Sequence, residues 1–204
     1  MENSELLERN SEMSTWPTIK LKNILCVSAA LIFFVAATSC AISHKFGPYK
    51  GKVVDAESGK PIEGAVVFMK CSTSTFSAGG SVGYYADATE VLTDEKGEFY
   101  IELRVNAIKP GHGWRPNPEI TIFKPGYGVF PGHNEAKADI LVRDTSHYLP
   151  ENTYVTIRLP KLMTIEDRKK NLFNIRYSLK VPIHKRKKLS EAESFERVHV
   201  GLKP

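Results

Sequence analysis

From residue 51 to residue 127 the chain repeats one pattern: short apolar runs, alternating or continuous, each closed by Gly, Pro or Asp. The runs fall at 49–55, 65–69, 90–93, 98–103 and 120–123, and 154–159 adds another. Alternation with a period of two, bounded by turn residues, marks strands. Several short strands at such spacing fold as a sandwich, so the fold class expected is all-β. The run 65–69 (AVVFM) is continuous rather than alternating, which suits a strand buried on both faces. Residues 57–61 and 94–97 read as turns, because Gly supplies positive φ and Pro presets φ. The second turn makes 90–93 and 98–103 hairpin partners. Residues 72–89 are Ser, Gly and Thr with aromatic insertions and read as a long loop or a floppy hairpin. Residues 106–118 hold three Pro and two Gly, which exclude a helix or a central strand. Residues 128–144 are irregular, with 139–142 a short strand.

The tail changes character. Thr164 followed by Asp167 resembles a capping box. Ile165, Leu172, Ile175 and Leu179 recur at helical spacing, so an amphipathic helix is expected over 165–179, with Arg168, Lys169 and Lys170 outward. Residues 184–188 (HKRKK) and the end are expected to be loosely ordered. The chain's net charge of +5 sits here: 161–204 carries 12 Lys/Arg against 5 Asp/Glu, and 41–160 carries 13 against 14. A basic tail alone gives no support to nucleic-acid binding; it suits a solvated extension or an anionic surface.

The amino terminus reads as an address. Residues 24–42 are nearly all apolar or small, and Lys20 and Lys22 precede them, which is a secretory layout. The ending Ala37-Thr38-Ser39-Cys40 resembles a bacterial lipobox, with Ala37 where Leu is usual. That resemblance implies lipidation at Cys40. A plain cleaved signal and an uncleaved anchor helix are the other readings, since about 19 apolar residues nearly span a bilayer. The acidic stretch before the segment suggests a true start at Met13. Ala41, rather than Asp, after the Cys favours the outer over the inner membrane of a bacterial envelope. The organisation expected is a leader at 1–42, a tether at 43–48, a sandwich at 49–160 and a basic helical tail at 161–204.

The pattern carried by Gly51, Val53, Asp55, Gly59, Pro61, Ile62, Gly64, Ala65, Val67, Thr93, Asp94, Gly97, Phe99, Ile101, Gly126 and Tyr127 resembles the carboxypeptidase regulatory-like domain. That resemblance implies a transthyretin-like, seven-stranded Greek-key sandwich. It implies no activity, because the fold is a general extracellular scaffold.

Little else points to chemistry. Cys26 and Cys40 bracket the apolar segment and leave Cys71 as the one thiol of the sandwich. No Cys pair has metal-ligand spacing. None of the six His sits at the short spacing of metal sites. His112 and His133 lie in neighbouring Gly/Pro loops and are the weak candidates for a metal-dependent or enzymatic site. Phe76, Tyr84, Tyr85, Trp114 and Phe130 lie on loops and are the candidate face for a protein or carbohydrate ligand. The function expected is a non-catalytic binding or structural module with no cofactor, held to a membrane through its amino terminus.

Overall fold

The computed structural model describes residues 43–106, 111–142, 148–175 and 180–204. The leader at 1–42, with Cys26 and Cys40, and the end of the expected helix at 176–179 lie outside them. The strands are β1 (His44–Asp55), β2 (Val66–Ser77), β3 (Gly80–Leu92), β4 (Glu98–Val105), β5 (Gly113–Trp114), β6 (Glu119–Phe123), β7 (Lys137–Ala138) and β8 (Tyr154–Leu159). After them come α1 (Ile165–Leu172), a 3₁₀ turn (Ile183–Lys185) and α2 (Lys187–His199). None of the helices described is long and apolar enough to cross a membrane.

The strands form two sheets, as an all-β sandwich requires. One has the order β4-β1-β8-β7, with β1 and β8 parallel. In the other β2 is central: β3 runs along one edge, and β6 and β5 pair with successive parts of the other.

Alternation along β2 decides what each face meets. Val67, Met69 and Cys71 enter the core between the sheets, with Phe46, Tyr49, Val53, Phe99, Ile101, Ile120, Ile122, Val155 and Ile157. Val66 and Phe68 point the other way. With Ala88, Phe123 and Val129 they form a second core, which Leu172, Ile175, Val181, Leu189 and Val200 cover. The continuous run 65–69 is thus buried on both faces, as expected, and the carboxy-terminal segment supplies the second cover.

Several expectations change. The helix expected over 165–179 stops at Leu172, with Phe173 as its C-cap, so Ile175 packs from the following turn rather than from the helix. The 43–48 tether is strand, because Phe46 is fully buried and β1 pairs with β4 from His44 onward. Residues 90–93 and 98–103 are not hairpin partners: β3 pairs with β2 and β4 with β1, so the 94–97 turn carries the chain from one sheet to the other. Of the two readings of 72–89 the hairpin holds, but it is a regular antiparallel ladder rather than a floppy one, with one irregularity at Cys71/Ser72. The short strand expected at 139–142 is Lys137–Ala138 instead. It stops where Asp139 turns its carboxylate back to accept from the Thr156 amide at 2.8 Å. Finally, the end of the chain is a docked helix rather than a loose tail.

The turn between the sheets shows why its residues are needed. Asp94 accepts from the amides of Lys96 (3.0 Å) and Glu98 (2.7 Å). Gly97 has φ +73° and lies so close to the Val53 carbonyl that a β-carbon would collide with it. Only glycine meets both conditions cheaply.

Polar side chains fasten the helical layer. Thr164 caps α1, its hydroxyl accepting from the Asp167 amide at 3.1 Å, as the capping signal predicts. Asn171, 1 % exposed, accepts from the Val129 amide (3.0 Å) and donates to the Tyr127 carbonyl (2.9 Å). Arg168 is not outward: its guanidinium grips the fully buried Glu196 of α2 through two hydrogen bonds, Nε at 2.7 Å. The amino end of α2 has no cap from its own N-cap residue. Glu90 of β3 replaces it, accepting from the amides of Lys188 (2.6 Å) and Leu189 (3.0 Å). Lys185 pairs with Asp87 at 2.9 Å. Acidic residues of β3 thus meet the basic tail directly.

Two expected outcomes follow. Asn171→Ala leaves the buried Val129 amide without its acceptor and costs roughly 1–3 kcal/mol in chemical denaturation. Glu90→Ala removes a capping carboxylate at a positive helix end and costs about 1 kcal/mol. An effect below the error of the measurement in both variants would mean that the layer is not held this way.

Candidate functional site

The part of the surface with most to offer is the far end of the β2–β3 hairpin. Residues 71–86 contain no charged side chain. Beyond Ser74, β2 pairs only with β3, and the two strands join through Ala78 and Gly79. Gly80 adopts φ +109°, and the Ser77 hydroxyl closes the turn by donating to the Gly80 carbonyl at 2.9 Å.

At the base of this arm Trp114, Thr73 and Tyr84 stand side by side across three strands. Residues directly opposite in neighbouring strands share a face. Trp114 stacks on His44 (ring centroids 5.4 Å) and meets the edge of Phe46 (5.8 Å). His112 places Nδ1 3.2 Å from the Thr73 hydroxyl, and its ring centroid lies 4.8 Å from that of Tyr84. On the opposite face the Arg115 guanidinium lies over Gly83.

The five aromatic candidates therefore do not form one face. Phe76 is 92 % exposed at the tip and Tyr84 is partly exposed below it. Trp114 is half-buried against the inter-sheet core. Tyr85 leans on the helical layer, where burial first and Asp87 second push its phenol up to about 12. Phe130 is a core residue rather than a surface one, because its backbone bridges to Ile122 and carries the ring inward.

The two histidines have different neighbours. His112 sits on the hairpin, whereas His133 packs over Gly128 and accepts from the Glu135 amide at 3.2 Å. Among the described residues no three His, Cys, Asp or Glu side chains are grouped to hold a metal.

Other reactive groups have structural partners. Cys71 is buried, and burial pushes its thiol up to about 12, so the thiolate is scarce at neutral pH. Burial and a hydrogen bond to Glu151 (2.9 Å) raise the Tyr49 phenol. Asp55 accepts from the amides of Ser58 (2.8 Å) and Glu57 (3.0 Å) and from the Ser58 hydroxyl. These bonds, the Ser58 amide first, hold its carboxyl below the usual Asp range. A lowered pKa means that the unfolded chain binds the proton more readily. The contribution is therefore present above the unfolded Asp value, about 3.9, and is lost as pH falls through the lower folded value. Asp55→Asn should remove that acid-dependent part of an unfolding curve; an unchanged acid limb would contradict the assignment.

A second surface lies along α2. Leu92, Val66, Gly64 and Lys124 meet Phe195 of α2 around a groove of about 370 Å³. Ile183, His184, Lys187 and Ser194 border a wider hollow of about 750 Å³ along the same helix. Phe195, Val198 and Ile183 are well exposed. The signal available was a pair of apolar residues off the stripe 189, 192, 196, 200, but it is legible only once α2 is recognised as a helix.

Comparisons with protein-family models, with curated proteins and with solved structures returned no significant match to this chain.

Proposed function

We propose that this chain is a non-catalytic module of the bacterial envelope, held at a membrane through its amino-terminal segment by a lipid on Cys40. In this reading the sandwich is a carboxypeptidase regulatory-like domain with the transthyretin-like Greek-key arrangement. Its work is binding or scaffolding at the cell surface or in the periplasm, with the outer membrane preferred.

The observation that carries the reading is the use the fold makes of its polar residues. Asp55 and Asp94 bind turn amides, and Thr93 bridges the Ala65 amide and the Ile62 carbonyl. Asn171, Glu196 and Glu90 secure the helical layer. Support for the family comes from the quoted pattern. Val53, Ala65, Val67, Phe99 and Ile101 all enter the inter-sheet core, and Gly59, Gly64, Gly97 and Gly126 all have positive φ.

Metabolic labelling with palmitate tests the anchor. The wild-type protein should take up label and Cys40→Ala should not. Equal labelling of both would end the lipoprotein reading.

A further inference from the structure

The link between the apolar segment and the sandwich is short. Strand β1 begins at His44, so Ser43 alone separates it from Ile42. Cys40 stands four residues before His44, which is at most roughly 14 Å of extended chain. Whatever holds Cys40 therefore holds this end of the sandwich close by.

The hairpin leaves the sandwich at that same end. His44 stacks on Trp114, and Trp114 is the cross-strand partner of Thr73. From Thr73 the arm continues four residues to Ser77, about 13 Å at the rise of a strand. The arm is thus about as long as the link to Cys40. Its tip is uncharged and carries Phe76, 92 % exposed, on one face and Val82, 43 % exposed, on the other. Arg115, an exposed cation, lies against Gly83 just behind the tip.

We infer that the β2–β3 tip is a second membrane contact, in which Phe76 and Val82 enter the lipid interface and Arg115 meets lipid phosphate. This rests on the membrane-anchored reading above. The lipid of a lipobox-type cysteine carries several acyl chains and holds the chain firmly by itself, so the tip contact would orient the sandwich on the bilayer rather than secure it there. Tethering also gives the tip a high local concentration of lipid, so a small apolar surface suffices. An aromatic ring at headgroup depth with a cation behind it fits that boundary. A charged protein partner would find no charged side chain on residues 71–86 to recognise.

The test uses the full chain in vesicles of phosphatidylethanolamine and phosphatidylglycerol with brominated acyl chains. Phe76→Trp places a reporter at the tip, and Glu95→Trp places one in the exposed turn at the opposite end of β1. Emission is read after subtracting the wild-type signal. The expected result is that the vesicles float with the protein, Phe76→Trp loses most of its emission to bromine, and Glu95→Trp loses none. Flotation without quenching at position 76 overturns the inference and leaves the anchor standing. Unquenched but blue-shifted emission at position 76 assigns the tip to a protein contact and also overturns it. Failure to float overturns both, since the tip reaches lipid only if residue 40 is held there.

Discussion

Ending the chain after Leu159 should abolish stable folding of the sandwich. The cut removes α1, the 3₁₀ turn and α2, and with them every carboxy-terminal residue over the outer face of the β2 sheet. Val66, Phe68, Phe123 and Val129, none more than 2 % exposed, would then face water. Each such side chain contributes roughly 1.5–3 kcal/mol by burial. Their sum rivals the whole stability of an ordinary domain, about 5–15 kcal/mol. The truncated protein should be recovered aggregated, or lose its cooperative melt. A soluble fragment melting with the full chain would show that the helices are an appendage. Phe68→Ala is the milder form of the same experiment, with an expected loss of about 3–5 kcal/mol.

Arg168→Ala should be the most damaging single change among the charged residues. Glu196 has no exposure to solvent, and Arg168 supplies its two charge-assisted hydrogen bonds. Removing the cation strands a carboxylate in the protein interior, which costs roughly 3–5 kcal/mol. For a domain of this size the melting temperature should fall on the order of 10 °C. Glu196→Ala should cost less, because the freed guanidinium keeps some access to water. The double variant Arg168→Met/Glu196→Leu should recover most of the loss, since an apolar pair needs no desolvation of charge. If Arg168→Ala melts like the wild type, the pair does not fasten the helical layer. If the double variant is no better than the single one, the loss is of packing rather than of charge compensation.

The strands were legible because burial on one face imposes a period of two, and 49–55, 98–103 and 154–159 show it. Their pairing was not. Asp94-Glu-Lys-Gly97 signals a tight turn, and a tight turn serves a hairpin and a crossing between sheets equally well. What decides is that Phe99 and Ile101 sit across the core from β2, which spacing cannot express. The hidden helix α2 has a plainer cause. Its inward stripe runs through buried Leu189, Glu196 and Val200 and half-buried Ala192, and the Glu interrupts the apolar signal at its centre. The partner that makes Glu196 tolerable is 28 residues away. One hint was available: run 65–69 is apolar on both faces, and Phe123 stands on the face opposite Ile120 and Ile122, so a two-layer sandwich leaves Phe68 and Phe123 uncovered. Phe130 lies in a stretch with no strand of its own, and only the bridge to Ile122 draws it inside, which residue spacing does not reveal.

Residues 43–204 form one unit, in which the basic tail is structural and the hairpin end remains for function. Amide hydrogen exchange of the full chain tests it most directly. Amides of Leu189 to Val200 should exchange as slowly as those of Val66 to Met69, because the two segments share one core and open only together. Exchange of the 189–200 amides at the rate of unstructured chain, with 66–69 still protected, would contradict it.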